Sequence, residues 1–146
     1  MQTIEIRDPA VLIQTLADFR YEMRRFYQFS EKAALGAGVQ PRQYQLLLQV
    51  AAAPERATVT IAYIAERLGL KHNSAVELVD RSENEGLVAR FEDAADRRRT
   101  ILRVTRKGHQ LLSKLAGQHA RELNEAAPRL IHALERIRNH AHREAE

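Results

Sequence analysis

The chain has 146 residues, 45% hydrophobic and 29% charged, which is enough for one buried core and too mixed for disorder. It has no cysteine, so disulfides, thiolate metal sites and thiol redox sensing are excluded, and no apolar run long enough to read as a membrane span. Its net charge of +4 matters less than where the charge sits: from Arg97 to Lys107 six of eleven residues are basic and none is acidic, which suits a polyanionic partner. Met1 to Asp8 lack the basic, apolar and small-residue blocks of a signal peptide, so the expected location is the cytoplasm.

Asp8-Pro9 opens a helix, with Asp as N-cap and Pro at the first helical position. Leu12, Leu16, Phe19, Met23 and Phe26 then recur at helical steps up to Gly36-Ala37-Gly38. A second helix starts at Gln40-Pro41 and carries Tyr44, Leu47, Leu48 and Ala51 before Pro54. Thr58-Val59 is a short extended piece, Thr60 an N-cap for a helix from Ile61 to Leu68, and Gly69 the following turn. The next helix spans about His72 to Glu85, with Ala75, Leu78 and Val79 facing inward and Gly86 terminating it. Leu87 to Phe91 alternates as a strand whose partner is Ile101 to Val104. Thr105 caps a long helix to about Glu125, Pro128 predicts a break, and a final helix carries Leu130, Leu134 and Ile137 towards a frayed end at Glu144-Ala145-Glu146.

The expected fold is mainly α with a small β-wing: a winged helix-turn-helix over residues 40–104 within a single domain of residues 1–146, flanked by helices over 8–36 and 105–146. Those outer helices carry apolar faces too wide for the small central unit to cover. Pairing with the same helices of a second copy covers them, which predicts an isologous dimer with Phe19 and Phe26 in its core.

A helix-turn-helix needs a small residue at the helix crossing, here Ala65, and a glycine in the turn, here Gly69. The second helix enters the major groove N-terminus first, which makes Lys71, His72, Asn73 and Ser74 the candidate contacts, with Arg81 further along. Lys71 suits phosphate or guanine, Asn73 the adenine edge, and Ser74 backbone or base. Glu77 fits a groove only by accepting from a cytosine amine or by pairing with Arg81. Arg97, Arg98 and Arg99 at the wing tip suit a narrow minor groove, with Arg98 the favoured inserted side chain. Asp93 and Asp96 beside them are expected to hold the guanidinium groups in one direction.

These residues resemble the MarR family of bacterial transcriptional regulators. The resemblance is carried by Ile64-Ala65-Glu66-Arg67-Leu68-Gly69-Leu70, Leu78-Val79-Asp80-Arg81, Glu85-Gly86-Leu87-Val88, Asp93-x-x-Asp96-Arg97-Arg98 and Val104-Thr105-x-x-Gly108. It implies a homodimer with two winged helices on a near-palindromic DNA operator, usually a repressor released by a small organic effector. Ser82 departs from the pattern, standing where an apolar residue is common, and predicts a loosened recognition helix. The resemblance also implies a ligand pocket between the dimerisation helices and the winged helix. Arg20, Arg24 and Tyr27 share one face of the first helix and Tyr44 follows on the second; these candidates would suit an organic anion such as an aromatic acid or thioester.

His119-x-x-Glu122 and His132-x-x-Glu135 have the spacing of helical metal pairs, but no further ligands accompany them, so no metal or other cofactor is expected. There is no phosphate-binding glycine loop, nucleophile motif or paired carboxylate in an apolar setting, so no enzymatic activity is expected. The reading is therefore a homodimeric DNA-binding regulator. Its alternatives are a DNA-binding protein without a ligand and a helical protein-interaction module.

Overall fold

The structure, a computed structural model, describes residues 8–144, with side chains through residue 141. Residues 1–7, expected to carry no leader, and Ala145-Glu146 of the expected frayed end lie outside the described residues. In order come α1 (Pro9–Gly36), α2 (Pro41–Ala51), α3 (Ile61–Leu68), α4 (His72–Asn84), β1 (Val88–Glu92), β2 (Thr100–Val104) and α5 (Arg106–Glu144).

Local chemistry explains where these elements start and stop. The Asp8 carboxylate accepts the Ala10 N–H at 2.9 Å, and Pro9 occupies a position whose N–H has no helical partner. Thr60 caps α3 by accepting the Tyr63 N–H at 3.2 Å. Gly69 ends α3 in the left-handed conformation, φ +64°, which lets its own N–H reach the Glu66 carbonyl and the Leu70 N–H reach that of Ala65. The two strands pair antiparallel from Val88 opposite Val104 to Glu92 opposite Thr100. The extended piece at Thr58-Val59 joins them, the Val59 carbonyl accepting the Leu102 N–H at 2.8 Å.

The chain divides into two compact units. One is Ala33–Gly117, which contains the helix-turn-helix, the wing, the last turn of α1 and the first turns of α5. Its core is Leu46, Leu47, Ile64, Val79, Leu87, Val88, Leu102 and Leu115, each at most 2% exposed. Gly108 lets α5 cross the chain at Leu87. A Cβ there would lie 2.3 Å from the Leu87 carbonyl oxygen and 2.7 Å from Val104 Cγ1, too close for any other residue. Thr105 locks the same junction, its hydroxyl donating to the Gly86 carbonyl at 2.5 Å and accepting the Gly108 N–H at 3.1 Å.

The other unit combines α1 through residue 32 with α5 from residue 118. Its buried side chains are mostly small or polar: Thr15, Glu22, His119, Ala126 and Ala133. His119 lies 2.8 Å from the Ser30 hydroxyl with the rings of Phe26 and Phe29 edge-on to it. Glu22 receives two hydrogen bonds from Arg129, at 2.8 and 3.3 Å, and this pairing raises the Arg129 pKa above its ordinary value. Among the described residues no three His, Asp or Glu side chains gather as a metal site.

The break expected at Pro128 does not occur: α5 is one helix from Arg106 to Glu144 with Pro128 inside it. A proline removes only its own N–H from the ladder, leaving the Asn124 carbonyl without its partner. Asn124 and Pro128 are both exposed, so water can satisfy that carbonyl, and the neighbouring Ala126, Ala127, Arg129 and Leu130 are good helix formers.

Candidate nucleic-acid interface

The first turn of α4 presents its polar residues outward while its apolar ones anchor it. Lys71 precedes the helix, and Lys71, His72 and Asn73 are exposed; Ser74 is half-buried and Ala75 fully buried. The N–H groups of this first turn have no helical acceptor and, with the helix dipole, favour an approaching anion. Arg81 is exposed further along. Glu77 is exposed too, and among the described residues no ion pair joins it to Arg81, one of the two ways expected to accommodate it in a groove.

At the wing tip the two aspartates bond chiefly to the backbone. Asp93 accepts the Ala95 N–H at 2.9 Å and Asp96 the Arg98 N–H at 3.0 Å, two Asx turns in succession. The Asp93 N–H donates to the Arg99 carbonyl at 3.2 Å and closes the loop. Of the three arginine side chains Asp96 holds Arg99, with Nε 3.6 Å from Oδ2. Arg97 and Arg98 are exposed and carry no ion pair among the described residues. The expectation that the aspartates orient guanidinium groups therefore applies to Arg99; for Arg98 the orientation is set through its backbone.

Three residues that the sequence did not single out as site residues join the wing to α4. Arg90 on β1 pairs with Asp80 and lies 3.5 Å from Glu83, both on α4. The sequence signal was an acidic pair three residues apart, one helical turn, facing an arginine on the next strand. Beside it Arg103 on β2 stacks over the Phe91 ring at 5.1 Å. The far end of α4 is held as well: the Lys107 ammonium donates to the Glu85 carbonyl at 2.9 Å, and the Gln43 amide donates to the Glu85 carboxylate at 2.8 Å.

Ser82 is fully buried in α4, its hydroxyl has no hydrogen-bond partner among the described residues, and its carbonyl accepts the Leu87 N–H at 2.9 Å. The helix runs unbroken through it to Asn84, and the serine leaves an unsatisfied hydroxyl on its packed face.

The candidate effector residues have different surroundings. Arg20, Arg24 and Tyr27 are all exposed on α1. Tyr44 is 4% exposed in the core of the winged-helix unit, where burial pushes the phenol above its usual pKa. A cavity of about 330 Å³ in the outer-helix unit is lined by Thr15, Asp18, Tyr21, Glu22, Arg129, His132, Ala133 and Arg136, and by none of the four candidates.

Residues 37–99 match the model of the MarR family. A Thauera aromatica protein, named as a candidate transcriptional regulatory protein for the hcr operon, is 28% identical over 114 residues, covering 78% of this chain and 67% of that protein. CouR from Rhodococcus jostii RHA1, solved bound to p-coumaroyl-CoA, is 28% identical with a TM-score of 0.58, and the match covers 66% of each chain. This chain thus spans about two thirds of each of those relatives. A MarR family protein from Bacillus stearothermophilus shares the fold across 94% of this chain and 97% of its own, with a TM-score of 0.71 at 21% identity. The helix-turn-helix and most of the wing lie within the matched residues, so this part of the chain is similar to the MarR family, and the structure has the fold of a member of that family.

Proposed function

We propose that the protein is a homodimeric repressor that binds a near-palindromic operator and leaves it on binding a small organic effector. The observation that carries this reading is that one compact unit exposes two sets of DNA-seeking groups: Lys71, His72 and Asn73 opening α4, and Arg97, Arg98 and Arg99 on the wing. In this reading α4 occupies the major groove, with Ser74 and Arg81 adding contacts, and the wing arginines enter the minor groove. The activity is binding, not catalysis.

Dimerisation is supported by large apolar side chains left exposed on the outer helices. Ile13 and Leu16 on α1 are 66% and 42% exposed, and Ile131 and Leu134 on α5 are 54% and 50% exposed. Covering them with a second copy removes apolar area from water and pairs two reading heads, matching a two-fold operator. For the effector, support comes from CouR, whose solved ligand is an aromatic acyl thioester. An aromatic acid or its thioester is the effector class proposed for this chain, with Arg20, Arg24, Tyr27 and Tyr44 as candidate contacts.

The test is a mobility-shift titration on duplexes flanking the gene that encodes the chain, followed by competition with aromatic acids and their coenzyme A thioesters. The reading expects a flanking duplex to shift at low salt and one ligand of the class to reverse the shift. No shift on any flanking duplex contradicts it. Light scattering at micromolar concentration should report twice the mass of the chain.

A further inference from the structure

Arg90 is not among the proposed DNA contacts, yet it connects the two elements that carry them. It stands on β1 two residues before the strand's end, and its guanidinium reaches back to α4, pairing with Asp80 and approaching Glu83 at 3.5 Å. Its cross-strand neighbour is Leu102, 1% exposed, so the strand that carries Arg90 is itself fixed in the core. Asp80 and Glu83 lie on either side of Arg81, and their side chains are 54% and 41% exposed.

This arrangement has a geometric consequence and an electrostatic one. Beyond Arg90 the chain runs through Phe91 and Glu92 directly into the wing tip, so a contact from α4 to β1 fixes the wing's root against the recognition helix. Asp80 and Glu83 would also set two carboxylates beside the phosphates, a repulsion that a cation lying between them reduces.

We infer that Arg90 is a positioning residue, clamping the wing to the recognition helix so that both grooves are read in one register. The inference rests on the DNA-binding reading above. A basic residue near DNA is ordinarily credited with a phosphate contact of its own. The clamp makes a different prediction, because its benefit is delivered through the wing arginines.

The experiment is a fluorescence-anisotropy titration of a duplex that the wild-type chain binds, with Arg90→Gln, Arg98→Ala and the double variant. Arg90→Gln should weaken binding about tenfold alone and far less in the Arg98→Ala background, since coupled residues are not additive. Equal losses in both backgrounds would overturn the clamp and indicate a direct contact. Exchanging the charges, Asp80→Arg with Arg90→Asp, should recover most of the lost affinity, a rescue that general destabilisation does not give. Should Arg90→Gln fold poorly, Glu83→Gln tests the same claim by its sign. Removing an acid beside DNA should strengthen binding if that acid merely repels phosphate, and weaken it a few-fold if it holds the clamp. Unchanged affinity of Arg90→Gln, with wild-type binding intact, sinks the clamp alone; a wild-type chain that binds no duplex sinks the DNA-binding reading with it.

Discussion

The carboxylate of Asp96 accepts the backbone N–H of Arg98 at 3.0 Å, so an acidic residue shapes the tip of a basic wing. Its other oxygen lies 3.6 Å from Arg99 Nε. Charge alone says that removing Asp96 should favour DNA. The geometry says the reverse, because the turn that presents Arg98 would loosen and ordering it would then fall to the binding step. Asp96→Ala is expected to weaken binding several-fold, about 1 kcal/mol on the scale of one hydrogen bond, while Asp96→Asn, which keeps the acceptor, loses less. Anisotropy titrations of both variants check this, and tighter binding by Asp96→Ala would count against it.

Ser82 is fully buried, with its hydroxyl unpaired among the described residues. Ser82→Ala removes that hydroxyl without changing the helix, so the variant should be more stable by about 1 kcal/mol. Thermal melting reads the change, and operator affinity should stay the same. A lower melting temperature would mean the hydroxyl has a partner in solution.

Pro128 in α5 leaves the Asn124 carbonyl without its helical donor. Pro128→Ala restores that bond in a helix already continuous on both sides, and should stabilise the chain by about 1–3 kcal/mol. Chemical denaturation of the two proteins decides it; a destabilised variant would show that the proline sets a bend the outer helices need.

Burial raises the Tyr44 phenol above its ordinary value of 10.0. The unfolded chain loses that proton near the ordinary value and the folded chain only at higher pH. Tyr44 thus contributes its stability below pH 10, and loses it as pH rises from there through the folded pKa. Tyr44→Phe should flatten the alkaline fall in stability relative to wild type while leaving the other titrations in place. Parallel alkaline profiles for the two proteins would contradict the assignment.

Much of the fold was legible because caps and periodicity act locally. Asp8, Thr60 and Thr105 cap the helices they precede, and Gly69 and Gly86 end theirs at positive φ. Pro128 misled because a proline's local cost is real, while its outcome depends on whether water reaches the freed carbonyl. The exposure of the candidate contacts Lys71 to Asn73 and Arg97 to Arg99 was equally legible, since polar residues at a helix start and a hairpin tip need only a surface position. The Arg90 clamp was not, since β1 must first be folded against α4 before Asp80 and Glu83 have a neighbour. Tyr44 shows the same limit from the other side: the sequence offers its phenol as a candidate contact without showing how deeply packing buries it.

The central claim is that the wing arginines bind DNA, and the salt dependence of affinity tests it most directly. Wild type and Arg98→Ala are titrated against the same flanking duplex at several salt concentrations, and log K is plotted against log salt. If Arg98 meets the DNA backbone or minor groove, the variant binds more weakly and its slope is shallower by about 0.9. Equal affinity and equal slope for the two proteins would contradict the account.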